Sequence, residues 1–216
     1  MDEEKNFAEV TSMRYCGIEG VHKLLWVTQD SGAFGNERDG PLGDWIHGKS
    51  AFMEHVKDFD TVISAGGNCG MYVRFYGNYF KNIYTFEPDP LNYYCLDRNC
   101  VGESYHKVQG ALGNSTDKLT LQKSHVSNVG MHRVDKKTPG DVQMYRIDDL
   151  NLQTCGLIHL DVEGFEQTVL EGSAETIKKF QPVVILEAGH GGSYLCDTHG
   201  YKVSARLHMD EVYIPE

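Results

Sequence analysis

The fold is decided by the stretch Asp60-Thr-Val-Ile-Ser-Ala-Gly-Gly-Asn-Cys-Gly70. Its apolar part, Thr61 to Ala65, predicts a buried strand, and the glycines that follow predict a tight turn. In a strand–turn–helix unit, backbone N–H groups at the helix start face a ligand, and glycine lets that ligand approach the main chain closely. A helix is expected directly after the turn, because aromatic residues recur there at helical spacing: Tyr72, Phe75, Tyr76, Tyr79 and Phe80.

A second apolar run, Ile83 to Phe86, ends at the acid Glu87. An acid at the end of the second strand of a βαβ unit, about 20 residues past the turn, can accept hydrogen bonds from both ribose hydroxyls of a nucleotide cofactor. We therefore predict a nucleoside-bearing ligand. The alternative is a plain βα turn of some other α/β protein, and the presence of Glu87 after the glycine turn makes that alternative weaker.

The glycine spacing indicates which nucleoside is bound. A dinucleotide fold uses G-x-G-x-x-G, because a pyrophosphate lies on the helix N-terminus. Gly66, Gly67 and Gly70 do not have that spacing, which disfavours an NAD-type oxidoreductase. The string A-G-G-N-C-G resembles instead the first motif of S-adenosylmethionine-dependent methyltransferases, whose ligand carries an amino acid and no phosphate.

Length and composition indicate one α/β domain of an ordinary protein. The chain has 216 residues, 40% of them hydrophobic. Its net charge of −11 disfavours nucleic acid as a partner. No apolar run approaches the roughly 18 residues of a membrane span, so no membrane is expected. The acidic N-terminus and six cysteines without a C-x-x-C pair predict a cytoplasmic protein with reduced thiols.

The order of apolar segments predicts a doubly wound sheet. Strands alternate with helices, which implies mostly parallel strands, and the tail from Tyr201 to Ile214 predicts a closing antiparallel hairpin. We divide the chain into an extension, loop and lead-in helix at 1–60 and a domain at 61–216. The predicted core strands are 61–65, 83–86, 104–112, 157–160 and 182–187. The irregular segments 28–43 and 122–143 are expected to shape the substrate pocket.

Several stretches together resemble the FkbM-type methyltransferases. They are Val62 to Tyr72, T-F-E-P-D-P at 85–90, I-D-D-L at 147–150, and L-I-H-L-D-V-E-G-F-E-Q-T-V-L-E-G at 157–172. The resemblance implies S-adenosylmethionine as cofactor and methylation of oxygen. It also implies a seven-stranded, Rossmann-like methyltransferase sheet of order 3-2-1-4-5-7-6. The ligand would then bind between the first and fourth strands, where the chain changes direction.

Two residues depart from the family's pattern. Ser64 stands where the family usually has Asp, and it predicts weaker cofactor binding unless another acid substitutes. His159 stands where the family favours Lys, so a cationic role there would depend on pH. A histidine inside a strand is more often a core residue. The cofactor-binding residues that the resemblance implies are Ser64, Ala65, Gly66, Gly67, Asn68, Gly70, Glu87, Pro88, Ala111, Leu112 and Asp161.

The chemistry is expected at the end of the fourth strand. Methylation of a hydroxyl requires that its proton be removed, and Asp161 is the first choice for this, followed by Glu163, Glu187 and His190. The alternatives are helix capping by Asp161 and Glu163, and a bystander role for His190. A divalent metal near Asp161 stays open as an alternative, but no His/Asp pair with ligand spacing supports one, so no metal ligands are assigned.

The acceptor is expected to be a small molecule or a glycan. Two other functions remain open. The chain could be a non-catalytic module that retains the methyltransferase fold, which Ser64 favours. It could also methylate protein or nucleic acid, which its charge and the absence of an N-P-P-Y string disfavour. The sequence does not indicate the oligomeric state.

Overall fold

The structure, a computed structural model, describes residues 13–18, 22–27, 48–122, 133–135, 140–207 and 209–216. The predicted loop 28–43 and most of the segment 122–143 lie outside the described residues. The strands, in chain order, are β1 (Met13–Ile18), β2 (His22–Val27), β3 (Thr61–Ala65), β4 (Asn82–Phe86), β5 (Tyr105–Val108), β6 (Ala111–Leu112), β7 (Lys118–Gln122), β8 (Arg133–Asp135), β9 (Val142–Tyr145), β10 (Leu157–Leu160), β11 (Val183–Glu187), β12 (Tyr201–Leu207) and β13 (Asp210–Pro215).

The helices connect the strands and cover the central sheet. Within the described ranges, none of them has the length and apolar character that crossing a membrane requires. They are α1 (Ser50–Met53), α2 (Met71–Tyr76), α3 (Pro90–Asn99), α4 (Glu166–Glu171), α5 (Ala174–Phe180) and α6 (Gly192–His199), with a 3₁₀ helix at Ile147–Leu150.

The central sheet has the order β12-β13-β11-β10-β3-β4-β5. Strands β5, β4, β3, β10 and β11 are parallel, whereas β13 is antiparallel to both β11 and β12. Counted in chain order within this sheet, the strands run 3-2-1-4-5-7-6. A mixed α/β fold with a mostly parallel sheet and a C-terminal antiparallel hairpin is therefore confirmed. Strands β3 and β10 are neighbours, and the chain continues from β3 to β4 on one side and from β10 to β11 on the other. A ligand is therefore expected at the carboxyl ends of β3 and β10.

The predicted third strand, 104–112, is wrong as a single element. It divides into β5 in the central sheet and β6 in a separate sheet of order β6-β9-β7-β8. The chain turns at Gly110, whose N–H donates to the carbonyl of Glu87. A Cβ at this position would lie 2.7 Å from the carbonyl oxygen of Gln143, so only glycine lets the two segments approach so closely.

The first helix after the glycine turn is shorter than the aromatic pattern predicts. It ends at Tyr76, and Tyr79 is 37% exposed. The predicted lead-in helix is likewise reduced to α1 within the described residues, and Phe59 is 39% exposed. On α3, the ring of Tyr94 is 41% exposed and lies under the guanidinium of Arg98.

The two faces of the central sheet bury separate clusters. One cluster contains Val62 and Leu157 and packs under β2, α2 and α3. The other contains Ile63 and Ile158 and packs under α4, α5 and α6. Strand β2 shares the first cluster through its buried Leu24, Trp26 and Val27, so part of the predicted N-terminal extension belongs to the core of the domain.

Candidate active site

Several of the predicted site residues lie at the edge of the central sheet where its parallel strands end. Ala65 at the end of β3 is in register with Leu160 at the end of β10 and with Phe86 at the end of β4. Leu160 is in turn in register with Leu186 of β11. Because parallel strands end together, the residues that follow them emerge side by side. They are Gly66, Glu87, Asp161 and Glu187.

The glycine turn is held by the sheet and by the loop after β10. The N–H groups of Gly66 and Gly67 donate to the carbonyl oxygen of Phe86, at 3.1 and 3.0 Å. These two groups are therefore used by the turn itself and do not face a ligand, contrary to the general expectation for such turns. Gly66 has φ of 77°, and a Cβ there would overlap the carbonyl oxygen of Asp161. Glycine is required at this position for both reasons.

Glu87 is only 5% exposed and joins the turn to the start of α3. Its Oε2 accepts from the Asn68 N–H at 2.7 Å, and its Oε1 accepts from the Asp89 N–H at 2.8 Å. These bonds fix the orientation of the carboxylate beside the glycine turn. Each oxygen can accept a second hydrogen bond, so the predicted contact with ribose hydroxyls is compatible with this arrangement and stays a prediction.

A buried amide side chain supports the same turn from the other side. Asn99 on α3 donates to the carbonyl oxygen of Cys69 at 2.7 Å and to that of Leu25 at 2.8 Å. Its Oδ1 accepts from the Leu25 N–H at 2.7 Å. Asn99 therefore joins the glycine turn, α3 and β2. We infer that it positions the turn, a role that the sequence analysis does not assign to it.

The remaining predicted cofactor residues lie around this turn. Ser64 is 2% exposed and is in register with Thr85 on one side and His159 on the other. Ala65 is buried directly after it, and Pro88 follows Glu87. Ala111 and Leu112 are buried in β6, immediately after the hydrogen bond between Gly110 and Glu87. The structure thus brings the turn, Glu87 and β6 together.

His159 is a core residue, which confirms that interpretation. It is 1% exposed, its Nδ1 lies 3.1 Å from the Tyr76 hydroxyl, and its ring lies edge-on to Tyr72 at 5.1 Å. Burial lowers the pKa of His159 to about 3. The ring is therefore neutral near pH 7, and the cationic role considered for this position is wrong.

Asp161 lies in a group of carboxylates. Its N–H donates to the Ala65 carbonyl oxygen at 3.1 Å, and its side chain is partly buried. Burial raises the pKa of Asp161 well above its usual range, and the nearby negative charges raise it further. Those charges belong, in decreasing order of effect, to Asp210, Glu163, Glu187 and Glu166. The sequence analysis missed Asp210, which reaches the site because it pairs with Glu187 across β13 and β11.

The loop between β10 and α4 is organised by Glu166 rather than by a helix cap. Glu163 and Gly164 have left-handed φ of 56° and 91°. Phe165, the N-cap residue of α4, makes no side-chain capping bond. Glu166 is completely buried, and its Oε1 accepts from the N–H groups of Val162 at 3.1 Å and Gly164 at 3.3 Å. The sequence analysis assigned no role to Glu166, although it lies in the quoted family string.

His190, in the turn after β11, lies beside the carboxylates of Glu166 and Glu187. Its Nδ1 lies 3.0 Å from Glu187 Oε2 and 3.7 Å from Glu166 Oε2. One ligand atom of each of these three residues lies within 4.8 Å of the other two, close enough to share a cation. The sequence analysis assigned no metal ligands, because these residues come from two different connections and have no ligand spacing along the chain.

The glycine turn, the carboxylate after β4 and the acids after β10 and β11 thus lie together at one edge of a mostly parallel α/β sheet. The family model described as the methyltransferase FkbM domain matches residues 64–202. The chain belongs to this family of methyltransferases, as the sequence analysis predicts.

One solved structure supports the fold. The methyltransferase FkbM from Methylobacillus flagellatus KT is similar with a TM-score of 0.51 and 15% identity, over 72% of this chain and 43% of that chain. This chain therefore spans less than half of that protein, and at this identity the likeness shows the fold alone. A candidate S-adenosylmethionine-dependent methyltransferase from Listeria monocytogenes has a TM-score of 0.38 and 9% identity, covering 82% and 78% of the two chains. No curated protein matches the sequence.

Proposed function

We propose that this protein transfers the methyl group of S-adenosylmethionine to a hydroxyl group of a small molecule or glycan. Membership of the FkbM methyltransferase domain family supports methyl transfer. The observation that carries the rest is the contact between the glycine turn and the backbone of Asp161, where a Cβ at Gly66 would overlap the Asp161 carbonyl. This contact supports a cofactor site at the glycine turn with the proposed proton acceptor beside it.

The residues around the turn are compatible with S-adenosylmethionine. The buried Glu87 carboxylate, held in orientation by the Asn68 N–H, is the proposed acceptor for the ribose hydroxyls. No pyrophosphate is needed for this fit, in agreement with the glycine spacing.

S-adenosylmethionine, when bound, supplies an activated methyl group. The task of the protein is to orient the acceptor hydroxyl and to take its proton as the oxygen becomes methylated. Asp161 is the proposed proton acceptor. Its raised pKa makes it a stronger base in its ionised form than an exposed aspartate would be. Glu163 and Glu187 then contribute mainly by raising that pKa.

Calorimetric titration with S-adenosylhomocysteine and NAD, side by side, tests the cofactor. We expect binding and a higher melting temperature with S-adenosylhomocysteine, about 2.7 kcal/mol of stabilisation at a hundredfold excess over the dissociation constant, and no effect of NAD. Stabilisation by NAD alone would contradict the proposal. Binding of S-adenosylhomocysteine without methylation of any member of a broad hydroxyl panel would favour the non-catalytic alternative.

Glu87→Gln tests the ribose contact better than Glu87→Ala. Removing the whole carboxylate leaves the N–H groups of Asn68 and Asp89 without their acceptor, so Glu87→Ala is expected to weaken the fold as well. Glu87→Gln retains one oxygen and removes the charge. We expect it to weaken S-adenosylhomocysteine binding by about tenfold, since charged hydrogen bonds contribute about 1.5–3 kcal/mol. An unchanged dissociation constant would exclude the ribose assignment.

A further inference from the structure

The turn after β11 brings a histidine to a buried carboxylate on α4. The turn is closed by the His190 N–H, which donates to the Glu187 carbonyl oxygen at 3.2 Å. Gly189 and Gly191 on either side have left-handed φ of 88° and 75°. A Cβ at Gly191 would lie 3.1 Å from the backbone nitrogen of Gln167, so the turn packs directly on the first turn of α4. This close approach places His190 beside Glu166.

One oxygen of Glu166 has no hydrogen-bond partner among the described residues. Glu166 is 0% exposed, and its Oε1 already holds the loop through the N–H groups of Val162 and Gly164. Its Oε2 is buried without a hydrogen bond among the described residues, and it points towards His190 at 3.7 Å. A buried carboxylate oxygen without a partner is costly, so a group that satisfies it is expected.

The nearby charged side chains do not neutralise the carboxylates of Glu166 and Glu187. Within the part of the chain that the structure describes, His190 is the only basic side chain that pairs with Glu166 or Glu187. The carboxylates of Asp161, Glu163 and Asp210 are close enough to interact electrostatically with this region. A divalent cation would offset the charges of Glu166 and Glu187 and would supply the missing partner of Oε2.

We propose that Glu166, Glu187 and His190 bind one divalent transition-metal ion, Mn²⁺ or Zn²⁺. The distances of 3.0 and 3.7 Å from His190 Nδ1 bracket the separation of about 3.3 Å expected between ligands at 2.0–2.1 Å in a tetrahedral site. An imidazole with two carboxylates suits Zn²⁺ or Mn²⁺ better than Ca²⁺ or Mg²⁺, which prefer oxygen ligands throughout. This proposal does not depend on methyl transfer.

Titration of the chelator-treated full chain with Mn²⁺, Zn²⁺, Mg²⁺ and Ca²⁺ tests the site. We expect saturable binding of one Mn²⁺ or Zn²⁺ per chain, with a higher melting temperature, and weaker binding of Mg²⁺ and Ca²⁺. Glu166→Gln retains the oxygen that holds the loop, and we expect it to weaken binding by at least about tenfold. Glu171→Gln, at the C-terminal end of the same helix, is the control and should bind as the wild type does.

His190→Gln provides a second variant, since its side chain is 40% exposed and its removal should not affect folding. Electron-spin-echo spectroscopy of bound Mn²⁺ should show coupling to a histidine nitrogen, and this coupling should disappear in His190→Gln. Absence of saturable Mn²⁺ and Zn²⁺ binding to the wild type would overturn the proposal. Unchanged affinity in both Glu166→Gln and His190→Gln would overturn it as well.

Discussion

Asp161 connects the glycine turn with the acids at the ends of β10 and β11. Its backbone contacts Gly66 and Ala65, while its side chain is the one whose pKa the surrounding carboxylates raise. Asp161 can therefore influence both the conformation of the glycine turn and the proposed proton transfer. A substitution that retains its shape and removes only its basicity separates the two effects.

For Asp161→Asn we predict near-normal binding of S-adenosylhomocysteine and turnover reduced by about two decades or more, because general-base assistance contributes 10²–10⁴ in rate. Calorimetry and a methylation assay on a panel of hydroxyl acceptors give the two quantities. Asp97→Asn, on the exposed side of α3, is the matched control. A destabilised but fully active Asp161→Asn would transfer the catalytic role to Glu163, Glu187 or His190.

His159 predicts a dependence of stability on pH. Its folded pKa of about 3 lies below the unfolded value of 6.5, so between these values the unfolded chain binds the extra proton. The free energy of unfolding should therefore fall as the pH is lowered from 6.5 towards 3, by about 2 kcal/mol at pH 5. Urea unfolding at pH 7 and pH 5 measures this loss.

The control for this prediction is His159→Gln, which offers an amide to the Tyr76 hydroxyl and does not titrate. The wild type should lose about 2 kcal/mol more than this variant between pH 7 and pH 5. Parallel losses in the two proteins would show that His159 is not the group responsible.

At the residue scale, the sequence was sufficient to predict those site residues that come directly after a strand. Glu87 and Asp161 end apolar runs, and parallel strands bring such residues to one edge. Glu166 was missed because its carboxylate turns back along the chain to the N–H groups of Val162 and Gly164, which no periodicity indicates. Asp210 was missed because its place depends on the pairing of β13 with β11.

Helix α5 receives its N-terminal hydrogen bonds from a distant element. Asp148, in the 3₁₀ helix, accepts from the N–H of Thr176 at 2.9 Å, from its hydroxyl at 2.8 Å and from the N–H of Glu175 at 3.3 Å. The N-cap residue of α5, Ser173, makes no side-chain capping bond. The cap of α5 therefore comes from an element that is distant along the chain.

We predict that Asp148→Ala lowers the free energy of unfolding by about 1–2 kcal/mol, the usual effect of removing a helix cap. Asp149→Ala, next to it, is the matched control, since its carboxylate is 52% exposed and meets Arg146 only at 3.7 Å. That control should change stability by less than about 0.5 kcal/mol. Chemical denaturation of both variants measures the difference, and equal effects would contradict the capping role.

The strand–turn–helix element depends on glycine at its tightest point. Gly66→Ala is expected to destabilise the protein by clearly more than the roughly 1–2 kcal/mol of a left-handed alanine, because its Cβ also overlaps the Asp161 carbonyl. Gly200→Ala is the matched control, with φ of 68° and no atom within 4 Å of the added Cβ. Thermal unfolding should separate the two, and similar losses would contradict the steric argument.

Element boundaries were predicted less well than element types. The aromatic pattern after the glycine turn extends to Phe80, but helix α2 ends at Tyr76. The residues after Tyr76 form hydrogen-bonded turns, and Tyr79 contacts Phe75 from one of these turns. The strand 104–112 was predicted as one, since its composition does not show that Gly110 must pass close to Gln143. The second error arises from a contact between segments distant in sequence.

At the scale of the whole molecule, the central sheet is completed by its last strand, β13, which lies between β11 and β12. Strand β13 pairs with β11 on one side and with β12 on the other. Its Val212 is completely buried and is in register with Ile185 and Ala205. The alternation of strands and helices was sufficient to predict the sheet and its closing hairpin, because topology rules leave few arrangements.

We predict that Val212→Pro prevents stable folding, since proline in an internal strand removes a hydrogen bond of the sheet and here also disturbs the core. Ser204→Pro is the control, because Ser204 is exposed and lies at the irregularity of β12 between Val203 and Ala205. Circular dichroism and thermal melting of both variants test this. A cooperative, native-like melt of Val212→Pro would contradict the internal position of β13.

The position of β13 has a consequence for biosynthesis. As the chain leaves the ribosome, residues 61–187 can form the parallel strands, but β11 then presents an unpaired apolar edge until Asp210–Pro215 has emerged. Such an edge is prone to pair with other chains. Nascent chains stalled before residue 210 should therefore depend on chaperones for solubility, and full-length chains held on the ribosome through an added C-terminal linker should not.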